Sequence, residues 1–247
     1  MVVLQGRVVV VVAHSGNKMI ACSIIIPVLN EAAHLPAQLA ALQKWRQAGH
    51  EIIVVDGGSD DASVELATPL VDQMIASPKG RAAQMNKGAE VANNEWFVFL
   101  HVDTFFSETA INSLQNIFHR EDIQWGRFNV HLSGSNPLFR LVSGLMNIRS
   151  RVTGIATGDQ AMFMRKTVFE QAGRFPEIVL MEDISLSSQL KKITSPYCIK
   201  EFVTTSSRRW HKDGVVKTIL MMWSLRLRYF FGVSPVVLAE RYNRSSK

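Results

Sequence analysis

The amino-acid sequence predicts an α/β fold with a mostly parallel sheet flanked by helices. From residue 20 onward, short β-branched runs alternate with segments whose apolar residues recur at helical spacing. This rhythm is typical of βαβ units, whose parallel sheets are covered on both faces. Polar and acidic residues follow directly after several of the apolar runs. Because ligands bind such sheets outside the carboxyl ends of the strands, these residues are the first candidates for a functional site.

The first half of the chain predicts strands and helices in strict alternation. The strands are expected at 22–26, 51–55, 74–76 and 96–102, and the helices at 31–48, 59–67 and 81–92. Pro27 should end the first strand, because proline lacks the N–H group that a strand interior needs. Ser59 or Asp60 should cap the second helix, since their side chains accept hydrogen bonds from its first free N–H groups.

The alternation changes after residue 122, although elements of both kinds are still predicted. Strands are expected at 125–132, 160–164 and 199–204, and helices at 137–150, 183–192 and 214–231. No stretch has the composition of a linker. We therefore expect 19–247 to form a single domain with two sub-regions.

Residues 1–18 are interpreted as an N-terminal extension that is not native to this domain. Their apolar run is far too short to span a membrane, and a small-residue cleavage site is poorly placed for a signal peptide. A coherent strand begins directly after Met19, which favours Met19 as the natural start. An extra strand formed by the run of valines is the other interpretation, and it stays open.

Composition and charge limit the class of protein. The chain has 247 residues and a net charge of +6, so it can bury a substantial core and suits an acidic partner such as phosphate, nucleic acid or a membrane surface. The two cysteines, Cys22 and Cys198, lie within or beside apolar runs and do not indicate a disulfide framework. They are expected to be reduced residues of a cytoplasmic protein.

Four acidic residues lie where the pattern predicts a site. Glu31, Asp56 and Asp103 follow predicted strands, and Asp183 begins a predicted helix. The basic residues placed to meet phosphate are Lys79, Arg81, Arg208 and Arg209. The dinucleotide-binding, P-loop and serine-hydrolase motifs are all missing from the sequence. A carboxylate-rich strand edge facing basic residues favours a diphosphate bridged by Mg²⁺ or Mn²⁺, which take oxygen ligands.

Seven spaced segments resemble those of family 2 glycosyltransferases, and they occur in the same order. They are SIIIPVLNEAAHL, EIIVVDGGSDDAS, KGRAAQMNKGA, FLHVDT, GDQAMFMRK, MEDISLSSQLKK and SSRRW. The chain is most similar to the subgroup called radical-SAM/selenodomain-associated transferase 2. The resemblance implies the GT-A fold, a Rossmann-like fold of nucleotide-diphospho-sugar transferases. It also implies an inverting, metal-dependent transfer of a sugar from a nucleoside diphosphate sugar, expected to be a UDP-sugar, to an acceptor hydroxyl.

The resemblance assigns residues to the donor. The loop from Pro27 through Asn30 to Glu31 would hold the base and ribose together with Asp56. The segment from Arg81 to Asn86 would flank the nucleotide and its diphosphate.

The resemblance also assigns the metal ligand and the catalytic groups. Asp103 matches the last aspartate of the D-x-D signature, which carries the divalent cation, Mn²⁺ or Mg²⁺. Asp183 matches the general base that acts on the acceptor hydroxyl, and Arg209 with Trp210 would lie close to the diphosphate and acceptor. His101 stands where many members have the first aspartate of D-x-D. It would either bind the metal or contact ribose or phosphate. A histidine ligand suits manganese better than magnesium.

Two other classes of protein compete with a glycosyltransferase. A sugar nucleotidyltransferase would have a glycine-rich loop and a lysine after the first strand, where this chain has Pro27-Val28-Leu29-Asn30-Glu31. A non-catalytic nucleotide-sugar-binding or scaffold protein would keep the fold, and His101 leaves this class open. No nucleic-acid partner is expected, and the acceptor is not predicted.

The C-terminal segment 215–238 allows two interpretations. Its aromatic and basic residues would suit a membrane interface close to a lipid acceptor. Charges interrupt its apolar run, however, which favours a helix packed on the domain or across a homodimer interface.

Overall fold

The computed structural model describes residues 3–4, 7–8 and 19–244, and only the backbone at positions 3, 4, 7, 8, 209, 243 and 244. Its strands are β1 (Val3–Leu4), β2 (Arg7–Val8), β3 (Cys22–Val28), β4 (Glu51–Asp56), β5 (Gln73–Ala76), β6 (Trp96–Phe99), β7 (Thr104–Phe106), β8 (Trp125–Leu132), β9 (Met162–Arg165) and β10 (Tyr197–Thr205). Its α-helices are α1 (Leu35–Gln47), α2 (Ser63–Ala67), α3 (Arg81–Val91), α4 (Ala110–Phe118), α5 (Pro137–Thr153), α6 (Lys166–Gln171), α7 (Glu182–Ile193), α8 (Arg208–Asp213), α9 (Val215–Phe230) and α10 (Pro235–Arg244). Two 3₁₀-helices lie at Thr68–Leu70 and Gly158–Gln160.

An eight-stranded sheet in the order β5-β4-β3-β6-β9-β8-β10-β7 forms the centre of the molecule. The pairs β5–β4, β4–β3, β3–β6 and β8–β10 are parallel, whereas β6–β9, β9–β8 and β10–β7 are antiparallel. The predicted α/β architecture with a mostly parallel sheet is therefore confirmed. In the predicted extension, β1 and β2 pair antiparallel and are separate from this sheet, and the other residues of 1–18 lie outside the described chain.

Helices cover both faces of the sheet, as the near-continuous apolar strands require. On β3, Ile24 and Ile26 belong to one buried cluster and Ile25 to the other, because successive side chains of a strand point to opposite faces. Helices α1 and α4 pack in the first cluster, and α3 and α7 pack in the second. The two layers fix which strand ends are open, and these ends hold the candidate site.

Strand β3 runs through Pro27, so the prediction that this proline ends the strand is wrong. Pro27 pairs with Val55 of β4. The carbonyl of Ile25 accepts from Leu100 on the β6 side, and Pro27, two residues later, has its backbone nitrogen on that same side. Because β6 has already ended there at Phe99, the missing N–H group costs no hydrogen bond of the ladder.

The start of α2 also differs from the prediction. The helix begins at Ser63, and neither Ser59 nor Asp60 caps it. Asp61 lies next to that end instead, and its Oδ1 accepts from the Ser63 backbone N at 2.9 Å. Ser59 is occupied elsewhere, since its hydroxyl bonds to Asp56 in the loop after β4.

The C-terminal helices leave much apolar surface exposed. Of the α9 side chains, only Thr218 and Leu225 are buried, whereas Trp223 is 61% exposed and Phe230 is 82% exposed. The part of the chain that the structure describes has no helix with the length and apolar character needed to cross a membrane.

Candidate functional site

The loops after β3 and β4 begin side by side because one buried glutamine joins them. From α3, Gln84 donates through Nε2 to the carbonyl oxygens of Val28 at 2.7 Å and Val55 at 2.8 Å. A side chain at Gly57 would place its Cβ 3.0 Å from this amide, so glycine leaves room for it. The carboxyl ends of two central strands are thereby held against the first turns of α3.

The predicted nucleotide-binding residues meet in the corner formed by these two loops. The Asp56 carboxylate accepts from the backbone N–H of Gly58 at 2.9 Å and from that of Ser59. Asn30 has a left-handed backbone with φ 55°, and its Oδ1 accepts from the Asp60 backbone N at 2.9 Å. Glu31 is half-buried beside them, and burial raises its pKa above the ordinary value despite the nearby positive charge of Arg208. The corner combines tightly bonded turns with the carboxyl group of Glu31, which forms no hydrogen bond with a residue that the structure describes in the loop.

His101 and Asp103 lie on a turn and not on a strand, because β6 ends at Phe99 instead of running to 102. The carbonyl of His101 accepts from the Thr104 backbone N at 3.1 Å. His101 Nδ1 is 3.6 Å from Oδ1 of Asp159, and Asp103 Oδ2 is 3.4 Å from Nη2 of Arg208. The two side chains are therefore not brought to one side by the alternation of a strand, but both line the same cavity.

Asp159 is a site residue that the sequence analysis missed. It belongs to the quoted segment GDQAMFMRK, in the 3₁₀-helix before β9. Burial by itself would raise the pKa of Asp159, but the bond and charge of His101, with Arg81 and Arg226 nearby, lower it below the usual range. Gly158 makes this contact feasible, since a Cβ there would lie 2.3 Å from the His101 ring.

Asp183 lies in the first turn of α7, as predicted. Its Oδ2 accepts from the Gly158 backbone N at 2.9 Å, which connects it to the Asp159 segment. The preceding Met181 has φ 72°, a conformation that costs energy for a residue with a side chain. Glu182 is buried, and burial together with the charge of Asp183 raises its pKa.

Arg81 begins α3 and faces these carboxylates. Its Nε is 3.4 Å from Oε1 of Glu182. Burial opposes the charge on the guanidinium, but the charges of Glu182, Asp183, Asp159 and Asp103 outweigh it and raise the pKa of Arg81. A permanent positive charge therefore stands opposite the candidate metal ligand and base.

A cavity of about 910 Å³ joins these groups. Its polar end is formed by Arg81, His101, Asp103 and Asp159, and its remaining wall comes largely from α5 and α9. Trp210 also lines it and packs with the cluster that contains Phe139 of α5.

Two predicted residues remain to be placed, Asn86 and Arg209. Asn86 bonds through Nδ2 to the carbonyl of Phe175 at 2.8 Å and through Oδ1 to its N–H at 3.1 Å, so its amide joins α3 to the loop before α7. The side chain of Arg209 lies outside the described residues. Its neighbour Arg208 is the arginine that contacts Asp103.

The donor atoms present fit a cation that is shared with a substrate. Within 19–244, apart from the side chains that are not described, no group of three or more His, Cys, Asp and Glu residues could hold a metal ion. Asp103 and His101 offer one oxygen and one nitrogen ligand. A magnesium or manganese ion held by one or two protein ligands takes its remaining ligands from phosphates and water.

Known proteins resemble this chain over different lengths. A PGL/p-HBAD biosynthesis glycosyltransferase of Mycobacterium bovis is 36% identical over 88 residues, which cover 33% of this chain and 34% of the relative. The uncharacterized glycosyltransferase YibD of Escherichia coli is 25% identical over 230 residues, which cover 87% of this chain and 60% of the relative. In both relatives the matched region is less than two thirds of the protein.

Solved structures with the same fold include a mannosyltransferase and the protein TarS. The mannosyltransferase PcManGT from Pyrobaculum calidifontis, in complex with GDP-Man and Mn²⁺, aligns with a TM-score of 0.61 and 15% identity, over 85% of this chain and 65% of that one. Staphylococcus aureus TarS 1-349 aligns with a TM-score of 0.60 and 15% identity, over 76% and 61%. At this identity the likeness shows the fold alone, and it confirms the predicted GT-A architecture.

The family profile described as "Glycosyl transferase family 2" matches residues 23–173. The match begins in β3 and includes Asp56, His101, Asp103 and Asp159, whereas Asp183 lies beyond it. The match covers more than half of the chain, and the matched residues contain the strand ends and the turn from which the candidate site is built. The chain therefore belongs to glycosyl transferase family 2.

Proposed function

We propose that this chain is an inverting glycosyltransferase that moves a sugar from a nucleoside diphosphate sugar, a UDP-sugar by preference, to an acceptor hydroxyl. The observation that carries the proposal is that Arg81, Asp103 and Asp159 line one cavity, while Asp183 accepts from the Gly158 N–H beside Asp159 and its charge acts on Arg81. Membership of the family supports the reaction class. The GDP-Man complex of PcManGT supports a nucleotide-sugar donor and makes GDP the second nucleotide to test.

The donor would lie across the carboxyl ends of the parallel strands. The loop containing Pro27, Asn30 and Glu31, with Asp56, forms the corner for the base and ribose. The diphosphate would then reach Asp103, with Arg81 on one side. A divalent cation, Mn²⁺ or Mg²⁺, held by Asp103 and His101 would neutralise the charge that the diphosphate gains on leaving.

The acceptor would approach from the side of Asp183. In one step, the acceptor oxygen bonds to the anomeric carbon, and the bond from that carbon to the diphosphate oxygen breaks with its electron pair going to the diphosphate. Asp183 takes the proton of the acceptor hydroxyl. The Gly158 N–H and the N-terminus of α7 hold this carboxylate in place. Arg81 and Arg209 are assigned to the leaving diphosphate, and Trp210 to the wall beside it.

Calorimetric titration of UDP, GDP and CDP, each with Mn²⁺ and with EDTA, tests the donor site. One nucleotide should bind in a metal-dependent way. Asp103→Asn should remove that dependence, whereas Asp183→Asn should keep nucleotide binding and lose turnover by about a hundredfold or more. Asp122→Asn is the matched control, because Asp122 is exposed and pairs with Arg120 away from the cavity.

Two results would contradict the proposal. If the folded protein binds none of the three nucleotides, the donor site is wrong, and a protein that keeps the fold without the activity becomes the better interpretation. If Asp183→Asn turns over like the unchanged protein, another group is the base.

A further inference from the structure

The cavity extends well beyond the groups that the donor would need. Away from the carboxylates it passes between α5 and α9, where its wall is apolar. The side chains there are Leu145, Ile148 and Val152 of α5 and Ile219, Trp223 and Leu227 of α9. A purely hydroxylated acceptor would gain little from such a wall, whereas a hydrocarbon chain would be removed from water along its length.

Two arginines stand where the apolar part of the cavity meets the polar part. Arg149 of α5 and Arg226 of α9 both line the cavity, and the charge of Arg226 disfavours the charged form of Arg149. Nε and Nη2 of Arg149 are buried and have no hydrogen-bond partner in the described chain. Burial and the charge of Arg226 lower the pKa of Arg149 to about 10.

Arg226 lines the same cavity from the opposite helix. It forms no hydrogen bond or ion pair with a residue that the structure describes, and burial lowers its pKa. A buried guanidinium donor without a partner is costly, and an anion between the two arginines would supply the missing acceptor. The planar donor fork of arginine matches the oxygens of a phosphate.

We propose that the acceptor is a phosphate-bearing amphiphile, with its phosphate on Arg149 and Arg226 and its hydrocarbon chain between α5 and α9. This inference rests on the proposed function and names its acceptor class. The charges of Asp183 and Asp159 act on both arginines, so the phosphate would lie at the end of the cavity where the proposed base stands. The cavity volume of about 910 Å³ is within the range that holds ligands of this size.

The rim of the cavity has the same chemistry as its wall. Ile148 is 61% exposed, Val152 is 79% exposed, and Trp223 is 61% exposed, so apolar surface continues from the cavity to the outside. Exposed basic residues on these two helices include Arg140, Arg151 and Lys217. Apolar side chains among basic ones suit the surface of an anionic lipid layer, from which such an acceptor would enter.

The test uses decyl phosphate below its micelle concentration, titrated calorimetrically into the full chain. Decyl maltoside has the same chain without the charge, and inorganic phosphate has the charge without the chain. Decyl phosphate should bind, and both controls should bind about tenfold more weakly or worse. Arg226→Gln and Arg149→Gln should each weaken decyl phosphate about tenfold or more, because each removes a charged donor.

Arg228→Gln is the matched control on α9. Arg228 is exposed, is not a cavity residue and bonds to Ser224, so its loss should leave decyl phosphate affinity unchanged. Ile148→Asp tests the apolar wall and should weaken decyl phosphate without changing metal-dependent nucleotide binding. Circular dichroism confirms that each variant is folded, and a variant that fails to fold is replaced by the corresponding lysine substitution for arginine or by Ile148→Ser.

Four outcomes would overturn the inference. The first is that decyl maltoside binds as tightly as decyl phosphate, and the second is that Arg226→Gln and Arg228→Gln lose equal affinity for decyl phosphate. The third is that the folded Arg149 and Arg226 variants bind decyl phosphate as the unchanged protein does. The fourth is that decyl phosphate competes with nucleotide and Mn²⁺ for binding. The last would mean that the arginines hold the donor diphosphate, whereas simultaneous binding supports a separate acceptor site.

Vesicles separate the dissolved ligand from a lipid surface. Phosphatidylcholine vesicles should retain the protein only when they contain decyl phosphate, and Arg226→Gln should reduce this retention. Retention by vesicles that Arg226→Gln does not change, without binding of dissolved decyl phosphate, would contradict the cavity site. If nucleotides fail to bind while decyl phosphate binds as expected, the proposed transferase function is wrong and the anion site stands.

Discussion

At the scale of single residues, His50 shows how one buried side chain makes stability depend on pH. It is 2% exposed, its Nδ1 accepts from the Cys22 backbone N at 3.1 Å, and its Nε2 has no partner in the described chain. Burial lowers the pKa of His50 from 6.5 to about 4. The folded protein therefore keeps this ring neutral at pH values where the unfolded chain protonates it.

We predict that His50 contributes stability that is present above pH 6.5 and is lost as the pH falls toward 4. The unfolded state binds more protons in this window, so the free energy of unfolding rises with pH there. Between pH 7 and pH 5 the loss should be about 2 kcal/mol. Urea unfolding at both pH values should show a smaller loss for His50→Gln than for the unchanged protein. His119→Gln, at an exposed position, should keep the full loss, and an equal loss in all three proteins would contradict the assignment.

A second residue-scale prediction concerns Gly158. A Cβ there would lie 2.3 Å from Cε1 and Nε2 of His101, so Gly158→Ala must move the ring or break the bond from Gly158 N to Asp183. Turnover should fall by about a hundredfold, because a small displacement of a catalytic group has effects of this size. Gly144→Ala is the control: no atom lies within 4 Å of its Cβ, and the free energy of unfolding should rise by up to about 1 kcal/mol. Normal turnover in Gly158→Ala would show that neither contact matters for activity.

At the scale of elements, α3 supports the site mainly through Gln84. This buried amide donates to two strand-end carbonyls, and Gly57 lies directly against it. The predicted helix over 81–92 contains this residue, but the sequence pattern gave it no role of its own. The structure uses it inside the molecule, where it sets the spacing of the loops that carry Asn30 and Asp56.

We predict that Gln84→Met destabilises the protein by about 1 to 3 kcal/mol and weakens nucleotide binding. The substitution keeps the size of the side chain but leaves two buried carbonyl oxygens without this donor. Chemical unfolding measures the first effect, and calorimetry with nucleotide and Mn²⁺ measures the second. Lys87→Met, at an exposed position of the same helix, should leave nucleotide affinity unchanged. If Gln84→Met lowers stability and keeps nucleotide affinity, the helix supports the fold but not the site.

The elements themselves could largely be predicted from local pattern, because each buried strand is a short apolar run and each helix has a periodic apolar face. Their ends depended on partners elsewhere in the chain. Pro27 lies inside β3 because β6 ends early, and α1 begins at Leu35 after a turn in which the Glu31 carbonyl accepts from His34 and Leu35. Such contacts are not visible in the spacing of the residues.

The residues of the candidate site also fall into two groups, those that the sequence pattern predicts and those that depend on contacts elsewhere in the chain. Residues at strand ends, such as Asp56 and Asp103, follow from the rule that ligands bind at the carboxyl edge of a parallel sheet. Asp159 reaches the site through a 3₁₀-helix before the antiparallel strand β9, and Arg149 and Arg226 reach it from the middle of α5 and α9. On a helix, a charge that faces a cavity and a charge that faces solvent look alike in sequence.

At the scale of the whole molecule, the candidate site joins two regions of the sheet. His101 and Asp103 follow β6, in the region of consecutive parallel strands, whereas Arg208 and Asp183 belong to α8 and α7 later in the chain. The contact between Asp103 and Arg208 and the bond between Gly158 and Asp183 already connect the two regions. A donor bound among these groups would be lost if either region unfolded, so its binding energy should stabilise the molecule as one unit.

We therefore predict that a nucleoside diphosphate with Mn²⁺ raises the melting temperature of the whole chain. At a ligand concentration of about one hundred times Kd the stabilisation is about 2.7 kcal/mol, which corresponds to about 5 to 10 °C for a chain of this length. Differential scanning calorimetry should show one transition that moves as a whole, and EDTA or Asp103→Asn should remove the shift. Asp122→Asn should keep it, since its carboxylate pairs with Arg120 at the surface. A transition that splits, with only one part moving, would mean that the ligand contacts a single region, and an equal shift in EDTA would mean that the cation has no part in holding the nucleotide.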